Sequence, residues 1–325
     1  MKMQFDVTDF DREFWFEYLN DFVPEQVFDA HIHIWDDSAC GTNDNPAQLL
    51  RLDAGYDDIH RWSQSLYPGR TLSYNLLATP IAGLDLEAHN RFVAREMKKS
   101  PRKLGSALVL PQMKAEELDA MIRKYHFTGL KPYLLFAEDT TNSRIAGYLP
   151  EHLMEVADEH GMTITLHLSK RDGIADPDNR NDLRQYTARY PRIKWILAHC
   201  ARSFNAFMLE KAIFELRDIP NLYYDHSAVC DVRSHYLLFK HEKIERMMFG
   251  SDNIAAGGVH GNYITWGKAW QFYHAGELKH CNSESTLVVY EQLRAMKYAA
   301  DMAGLTADDV KKIFHGNAAK LFSFA

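Results

Sequence analysis

Short apolar runs alternate with longer amphipathic stretches through most of the chain. Val27–Trp35 (Val-Phe-Asp-Ala-His-Ile-His-Ile-Trp) alternates closely enough to predict a first strand. Further strands are predicted at Leu72–Ala78, Lys103–Leu110, Gly129–Phe136, Met162–Leu168, Ile193–Ala198, Asn221–Tyr224 and Arg246–Gly250. Between them, apolar residues recurring at helical spacing predict helices over Asp85–Lys99, Glu116–Tyr125, Tyr148–His160, Asp182–Tyr190, Asn205–Leu216 and Arg233–His241. Aromatic residues at helical spacing in 9–22 predict an N-terminal helix that ends before Pro24. Downstream of the last strand, helices are predicted through Ile264–Tyr273, Glu284–Ala303 and Ala307–Phe314, while Asp36–Asn45 reads as a polar loop.

Strands that alternate with helices predict a parallel sheet. Eight such strands in 325 residues fit a (β/α)8 TIM barrel, which takes about 250 residues, with a helical extension over 1–26 and extra C-terminal helices. An open doubly wound sheet is the competitor. It would usually carry a glycine-rich phosphate loop after its first strand, and neither G-x-G-x-x-G nor a P-loop is present. No proline- or Gly/Ser-rich linker divides the chain, so residues 27–325 are read as one barrel domain.

Composition narrows the function classes. The chain is 46% hydrophobic and 25% charged, as expected of a globular protein. Lys+Arg number 37 against 44 Asp+Glu, a net charge of −7, so there is no general attraction for nucleic acid. The N-terminus turns acidic where a secretory signal needs an apolar run, and no stretch approaches the roughly 20 apolar residues of a membrane helix. Cys40, Cys200, Cys230 and Cys281 are scattered, with no C-x-x-C pair. A reduced, cytoplasmic protein is expected, without a membrane partner, and a homo-oligomer is left open.

Sixteen histidines stand out, several of them on strand-like segments. His31 and His33 are two apart, so a strand points both imidazoles to one face, where they can converge on one metal ion. Alone, H-x-H is a common pattern, and a coincidental polar pair is the competing reading. Three later strands, however, end in chemistry-bearing residues, at the end where barrel enzymes keep their sites. These are His167 in Thr163-Ile-Thr-Leu-His167, His199 in Trp195-Ile-Leu-Ala-His199 and Asp252 in Phe249-Gly-Ser-Asp252. In a closed barrel the eighth strand lies beside the first, so Asp252 can approach the histidine pair.

With Phe28-Asp-Ala-His-Ile-His33, Thr165-Leu-His167, Leu197-Ala-His199, Phe249-Gly-Ser-Asp252 and the closing stretch Ile313–Phe322, the sequence resembles the amidohydrolase superfamily. The match is to the branch that includes 2-amino-3-carboxymuconate-6-semialdehyde decarboxylase together with hydrolases and lactonases. The resemblance implies that His31, His33, His167 and Asp252 hold one divalent ion, zinc first and manganese second. It also implies that His199 activates a bound water, with Asp252 able to relay a proton. A bound ion brings the pKa of its water toward 7, and imidazole is suited to move the proton.

Lys131 lies on the fourth predicted strand. Two-metal members of the superfamily carbamylate a lysine there as a bridge; a substrate contact is the preferred reading, and a plain strand residue is the alternative. Arg202, three residues past His199, can clamp a substrate carboxylate or serve as an ordinary surface arginine. With Lys170, Arg171 and His226 it gives the mouth a cationic lining and hints at an anionic small-molecule substrate. Gly257-Gly-Val-His-Gly-Asn262 reads as a mobile loop of the kind that serves as a lid, in which His260 can meet substrate or be an ordinary exposed loop histidine, and the aromatic run around Trp266–Tyr273 reads as packing. The expected activity is hydrolysis of an ester, lactone or amide. The alternatives are a decarboxylase of the same branch and a metal-free or non-catalytic binding barrel.

Overall fold

A computed structural model describes residues 7–36, 39, 54–253, 256–274, 276 and 278–323. The expected loop at Asp36–Asn45 and Cys40 therefore fall largely outside the described residues. Eight parallel strands stand in sequence order: β1 (Gln26–Ile34), β2 (Thr71–Ala78), β3 (Gly105–Val109), β4 (Gly129–Pro132), β5 (Thr163–Leu166), β6 (Lys194–Leu197), β7 (Leu222–Asp225) and β8 (Met247–Met248). The residues after β8 close the ring onto β1. Ala30 N donates to Phe249 O (2.9 Å), Asp252 N to His31 O (2.8 Å) and His33 N to Asn253 O (2.9 Å). The molecule is the expected (β/α)8 barrel, and its last seam fastens Asp252 beside the histidine pair.

The strands are short and almost wholly buried, because helices cover their outer faces while side chains fill the lumen. Trp195, Tyr224, Phe249, Leu130 and Ile164 are at most 0% exposed, each buried apolar side chain contributing about 1.5–3 kcal/mol. Gly250 follows β8 where the chain passes directly over β1. A Cβ there would lie 2.8 Å from the His31 Cβ, so only glycine lets the seam close at the height of His31.

The helices lie near their expected positions, with differences that have physical causes. The N-terminal helix α1 (Asp9–Phe14), capped by Thr8, runs into a π-helical turn at Trp15–Leu19. The segment Tyr56–Leu66 forms α2, which was not expected from the sequence. Polar residues dominate it, and only Ile59, Ser63 and Leu66 reach the core. The predicted helix at Ile264–Tyr273 is instead an antiparallel hairpin, β9 (Asn262–Trp266) and β10 (Ala269–Tyr273). Its aromatic residues are also good strand formers, and Gly267 at φ +54° makes a two-residue turn that splits the run. Among the described residues, no helix is long and apolar enough to cross a membrane.

Candidate active site

The C-terminal ends of β1 and β4 to β8 surround a cluster of ring nitrogens and carboxylates. His31 and His33, on β1, present their Nε2 atoms 3.2 Å apart. Asp252 Oδ1 lies 3.3 Å from His33 Nε2 and 3.5 Å from His31 Nε2. Metal bonds of about 2.1 Å place neighbouring donors about 3.0–3.4 Å apart, so this triangle has the size of one face of a metal site. Its protonation state also suits a ligand. Burial lowers the His31 pKa to about 4, with the Lys131 charge adding to the effect, and burial lowers that of His33. Both rings are therefore neutral at pH 7. Burial pushes the Asp252 carboxyl upward, but His31, His33 and His199 together hold it well below the usual carboxylate range.

A second carboxylate fixes the orientation of the first ring. Asp225, the last residue of β7 and fully buried, accepts from His31 Nδ1 at 2.9 Å. That bond places the proton on Nδ1 and leaves the Nε2 lone pair for the cluster, the arrangement by which carboxylates aim ligand histidines. Asp225 also accepts from the backbone N–H of His199 (3.0 Å) and of Ser227 (3.1 Å). Burial works against its charge, yet His31, His199 and Ser227 hold it far below the ordinary range. Asp29 performs a similar task at the seam, accepting from His31 N (3.1 Å) and Ser251 N (2.9 Å). Neither Asp225 nor Asp29 was expected from the sequence. The Asp225-His226 pair closing a strand was the available signal for the first.

His199 follows β6 on an unusual stretch of backbone. His199, Cys200, Ala201 and Arg202 all have positive φ, between 52° and 60°, and Ser203 N donates to His199 O at 2.8 Å. This is one left-handed helical turn of four non-glycine residues, at a cost of about 1–2 kcal/mol each. Asp252 (φ 55°) is left-handed as well. His199 Nδ1 donates to Ser227 O (3.0 Å), which leaves its Nε2 lone pair unclaimed. The ring sits 5.1 Å from that of His31 and 5.0 Å from that of His167.

His167, half-buried just after β5, is one ring away from the three converging donors. Its Nδ1 donates to Leu168 O (3.2 Å), and burial holds its pKa well below that of an ordinary histidine. Lys131 is completely buried, and its Nζ donates to His31 Nε2 at 3.2 Å. Burial brings its pKa down to about 8. A side chain expected to meet substrate thus lies against a candidate metal donor, a positive charge stationed where a cation would bind. Arg202 is part-buried and donates from Nη1 to Leu168 O (3.0 Å) and Lys170 O (2.7 Å), so one side of its guanidinium secures the backbone beside His167.

The hairpin forms a roof over this site. Trp270 stacks on Phe204 with centroids 4.3 Å apart, Tyr263 lies 4.9 Å from Phe204, and Phe204 in turn lies 5.1 Å from His199. Asn205 Nδ2 holds the hairpin by donating to Gly267 O and Ala269 O, both at 3.0 Å. The segment read as a lid is tied down at its described residues: Gly261 N donates to Thr286 O, and His260 Nε2 meets Asp11 Oδ2 at 2.8 Å. His260 therefore joins the N-terminal helix to the barrel instead of facing a substrate.

The sequence model of the Amidohydrolase family matches residues 28–324. The chain belongs to that family. Among curated proteins no match is found. Among solved structures, 5-carboxyvanillate decarboxylase from Sphingomonas paucimobilis is 13% identical with a TM-score of 0.58, over 93% of this chain and 100% of that one. Dihydroxybenzoic acid decarboxylase from a Polaromonas species, with bound manganese and the inhibitor 2-nitroresorcinol, is 15% identical with a TM-score of 0.54, over 93% and 97%. A 4-oxalomesaconate hydratase from Rhodopseudomonas palustris is 13% identical with a TM-score of 0.51, over 91% and 95%. Likenesses at these identities establish the shared fold.

Proposed function

We propose that this amidohydrolase-family barrel is a metal-dependent decarboxylase of a small, planar carboxylic acid. The reading is carried by one observation: His31, His33 and Asp252 converge with donors 3.2–3.5 Å apart, beside His199 and beneath an aromatic roof. Two of the similar structures, both decarboxylases of aromatic acids, support carboxylate loss over hydrolysis, the first expectation from the sequence. Manganese in one of them puts that ion ahead of zinc.

In this reading His31, His33 and Asp252 hold the ion, and His167 completes the set from the opposite wall. Bound there, the ion would supply a positive centre for a substrate oxygen. The protein's own groups do the rest. Tyr133, whose ring lies 5.0 Å from that of His167, and the packed roof of Phe204, Tyr263 and Trp270 bound the space for a flat substrate and exclude water from the carbon that loses carbon dioxide. Losing the carboxylate leaves an electron pair on that carbon, and a proton must arrive there. His199, its Nδ1 proton committed to Ser227 O, takes up a solvent proton on its Nε2 lone pair and passes that proton to the carbon. The free face of Arg202 meets a second anionic group of the substrate, and the Lys131 amine lies beneath the site against His31. Hydrolysis of a lactone or ester is the second reading, favoured by the family's description.

The test is carbon dioxide release from a panel of hydroxybenzoates and unsaturated dicarboxylates by the manganese-loaded protein, before and after chelator treatment. Chelator-sensitive carbon dioxide release is expected. Turnover of lactones or esters with incorporation of solvent oxygen, and no carbon dioxide from any acid, would replace decarboxylation with hydrolysis.

A further inference from the structure

Behind the barrel mouth lies a second cluster of ligand atoms that the proposed reaction does not use. Cys200, His226 and His235 are each completely buried. The Cys200 Sγ lies 3.4 Å from His226 Nδ1 and 3.6 Å from His235 Nδ1, and the two Nδ1 atoms are 2.8 Å apart. Three strand or helix neighbourhoods supply the three side chains: the left-handed turn after β6, the end of β7, and the helix Val232–His241.

From these residues we infer a second cation site, formed by the thiolate of Cys200 and the Nδ1 atoms of His226 and His235, for a thiolate-seeking d10 cation, copper(I) or zinc. Thiolate–metal bonds of about 2.3 Å and imidazole–metal bonds of about 2.0–2.1 Å, at a tetrahedral angle, place S and N about 3.5 Å apart, which is the observed separation. The two nitrogens need to part by only about half an ångström from their present contact. His235 Nε2 donates to Val229 O at 2.8 Å, which fixes its tautomer and turns the Nδ1 lone pair toward the sulfur. Without an ion, His226 Nδ1 donates to His235 Nδ1 at 2.8 Å; binding an ion moves that proton to His226 Nε2, which has no hydrogen-bond partner of its own.

The charge balance favours the same class of ion. Binding releases the Cys200 thiol proton to solvent. Copper(I) with one thiolate and two neutral imidazoles is uncharged and so is tolerated in a dry interior, whereas zinc carries one net positive charge. Asp225 and Asp231 lie close enough for their charges to reinforce the effect of burial in raising the thiol pKa, and the same negative field welcomes a cation. Among the described residues no fourth protein donor joins the three, so zinc would add a water to complete its tetrahedron, while three-coordinate copper(I) would open the S–N separations to about 3.8 Å.

The experiment uses the full-length His31→Ala/His33→Ala protein, whose mouth cluster is dismantled, produced in medium supplemented with copper or with zinc. Residual metal is counted per chain and its surroundings read by X-ray absorption. About one ion is expected, with one sulfur and two nitrogen neighbours, falling below about one tenth on adding Cys200→Ser. The medium that yields the ion distinguishes copper from zinc. A folded double variant without metal in either medium overturns the site and leaves a hydrogen-bonded Cys–His–His triad. So does residual metal that survives Cys200→Ser or shows no sulfur neighbour. Should Cys200→Ser fail to fold, the sulfur signal in the double variant alone decides. Failure of the mouth cluster to bind metal leaves this readout intact, so the two proposals fall separately.

Discussion

His31 and His33 stand on an extended strand that the barrel would contain whatever its chemistry, whereas His199 and Asp252 stand on left-handed backbone that L-residues avoid. The strand side costs nothing beyond burial of two rings, and Asp225 only has to orient one of them. The opposite side is held against its own preference by surrounding contacts: His199 N to Asp225, His199 Nδ1 to Ser227 O, and Asp252 N to His31 O. Half of the cluster is therefore placed by regular secondary structure and half by tertiary constraint, a division common where strain serves function.

The comparison can be broken most severely on the strand side. His31→Ala/His33→Ala is expected to abolish chelator-sensitive carbon dioxide release, a loss of at least about 10³-fold, with no ion left at the barrel mouth. On the left-handed side, His199→Asn is expected to lower kcat by about 10²–10⁴-fold while the mouth keeps its ion, measured by turnover beside metal content. If that variant lost its ion as well, His199 would be a ligand and not a proton carrier. Asp225→Asn links the two sides. It should weaken metal binding about 10–100-fold, read by competition with a chelator, through loss of the bond that aims His31.

Lys131 allows a test by pH. Burial lowers its pKa from the ordinary 10.5 to about 8, so between those values the unfolded chain carries a proton that the folded one lacks. Stability of the metal-free protein should then rise with pH from about 8 to 10.5, by about 3 kcal/mol at most. Lys131→Met should remove that rise, and urea titrations across the range measure it. The smallest effect concerns the backbone itself. Ala201→Gly relieves a left-handed alanine while losing one buried methyl and gaining unfolded-state entropy, so its net change should stay within about 0.5 kcal/mol. Ala30→Gly, on β1, has no strain to relieve and should cost about 1.5 kcal/mol. Equal losses at the two alanines would argue that the turn is not strained.

The same division explains what could be read from the sequence. The eight strands and the histidine pair were legible because periodicity reports regular structure, and the pair sits on a strand of period two. His167, His199 and Asp252 were legible as strand-end residues and through family resemblance, yet nothing in the sequence announces a left-handed turn without a glycine. Asp225 escaped because an aspartate after two tyrosines has no period, and its one signal, the Asp-His pair closing a strand, names no partner; barrel closure brings it to His31 from 194 residues away. The roof was misjudged for a related reason. Trp266 and Trp270, four apart, satisfy helical and strand spacing alike, Tyr273 continues the helical series and Phe272 the strand one, and Gly267 decides between them only once Asn205 is there to hold the turn.

The turn at His199–Arg202 also bears on the order in which the molecule forms. A left-handed turn of L-residues cannot nucleate by itself, because every residue in it opposes the local preference. It becomes favourable once β6 lies against β7, when Asp225 and Ser227 are in place to receive His199. His199, the proposed proton carrier, is therefore set late, after the neighbouring strands have paired. A barrel caught short of that step has its walls but not its chemistry. On refolding, return of activity should lag behind return of strand and helix signal, and substitutions within the turn should chiefly speed unfolding while leaving the folding rate almost unchanged.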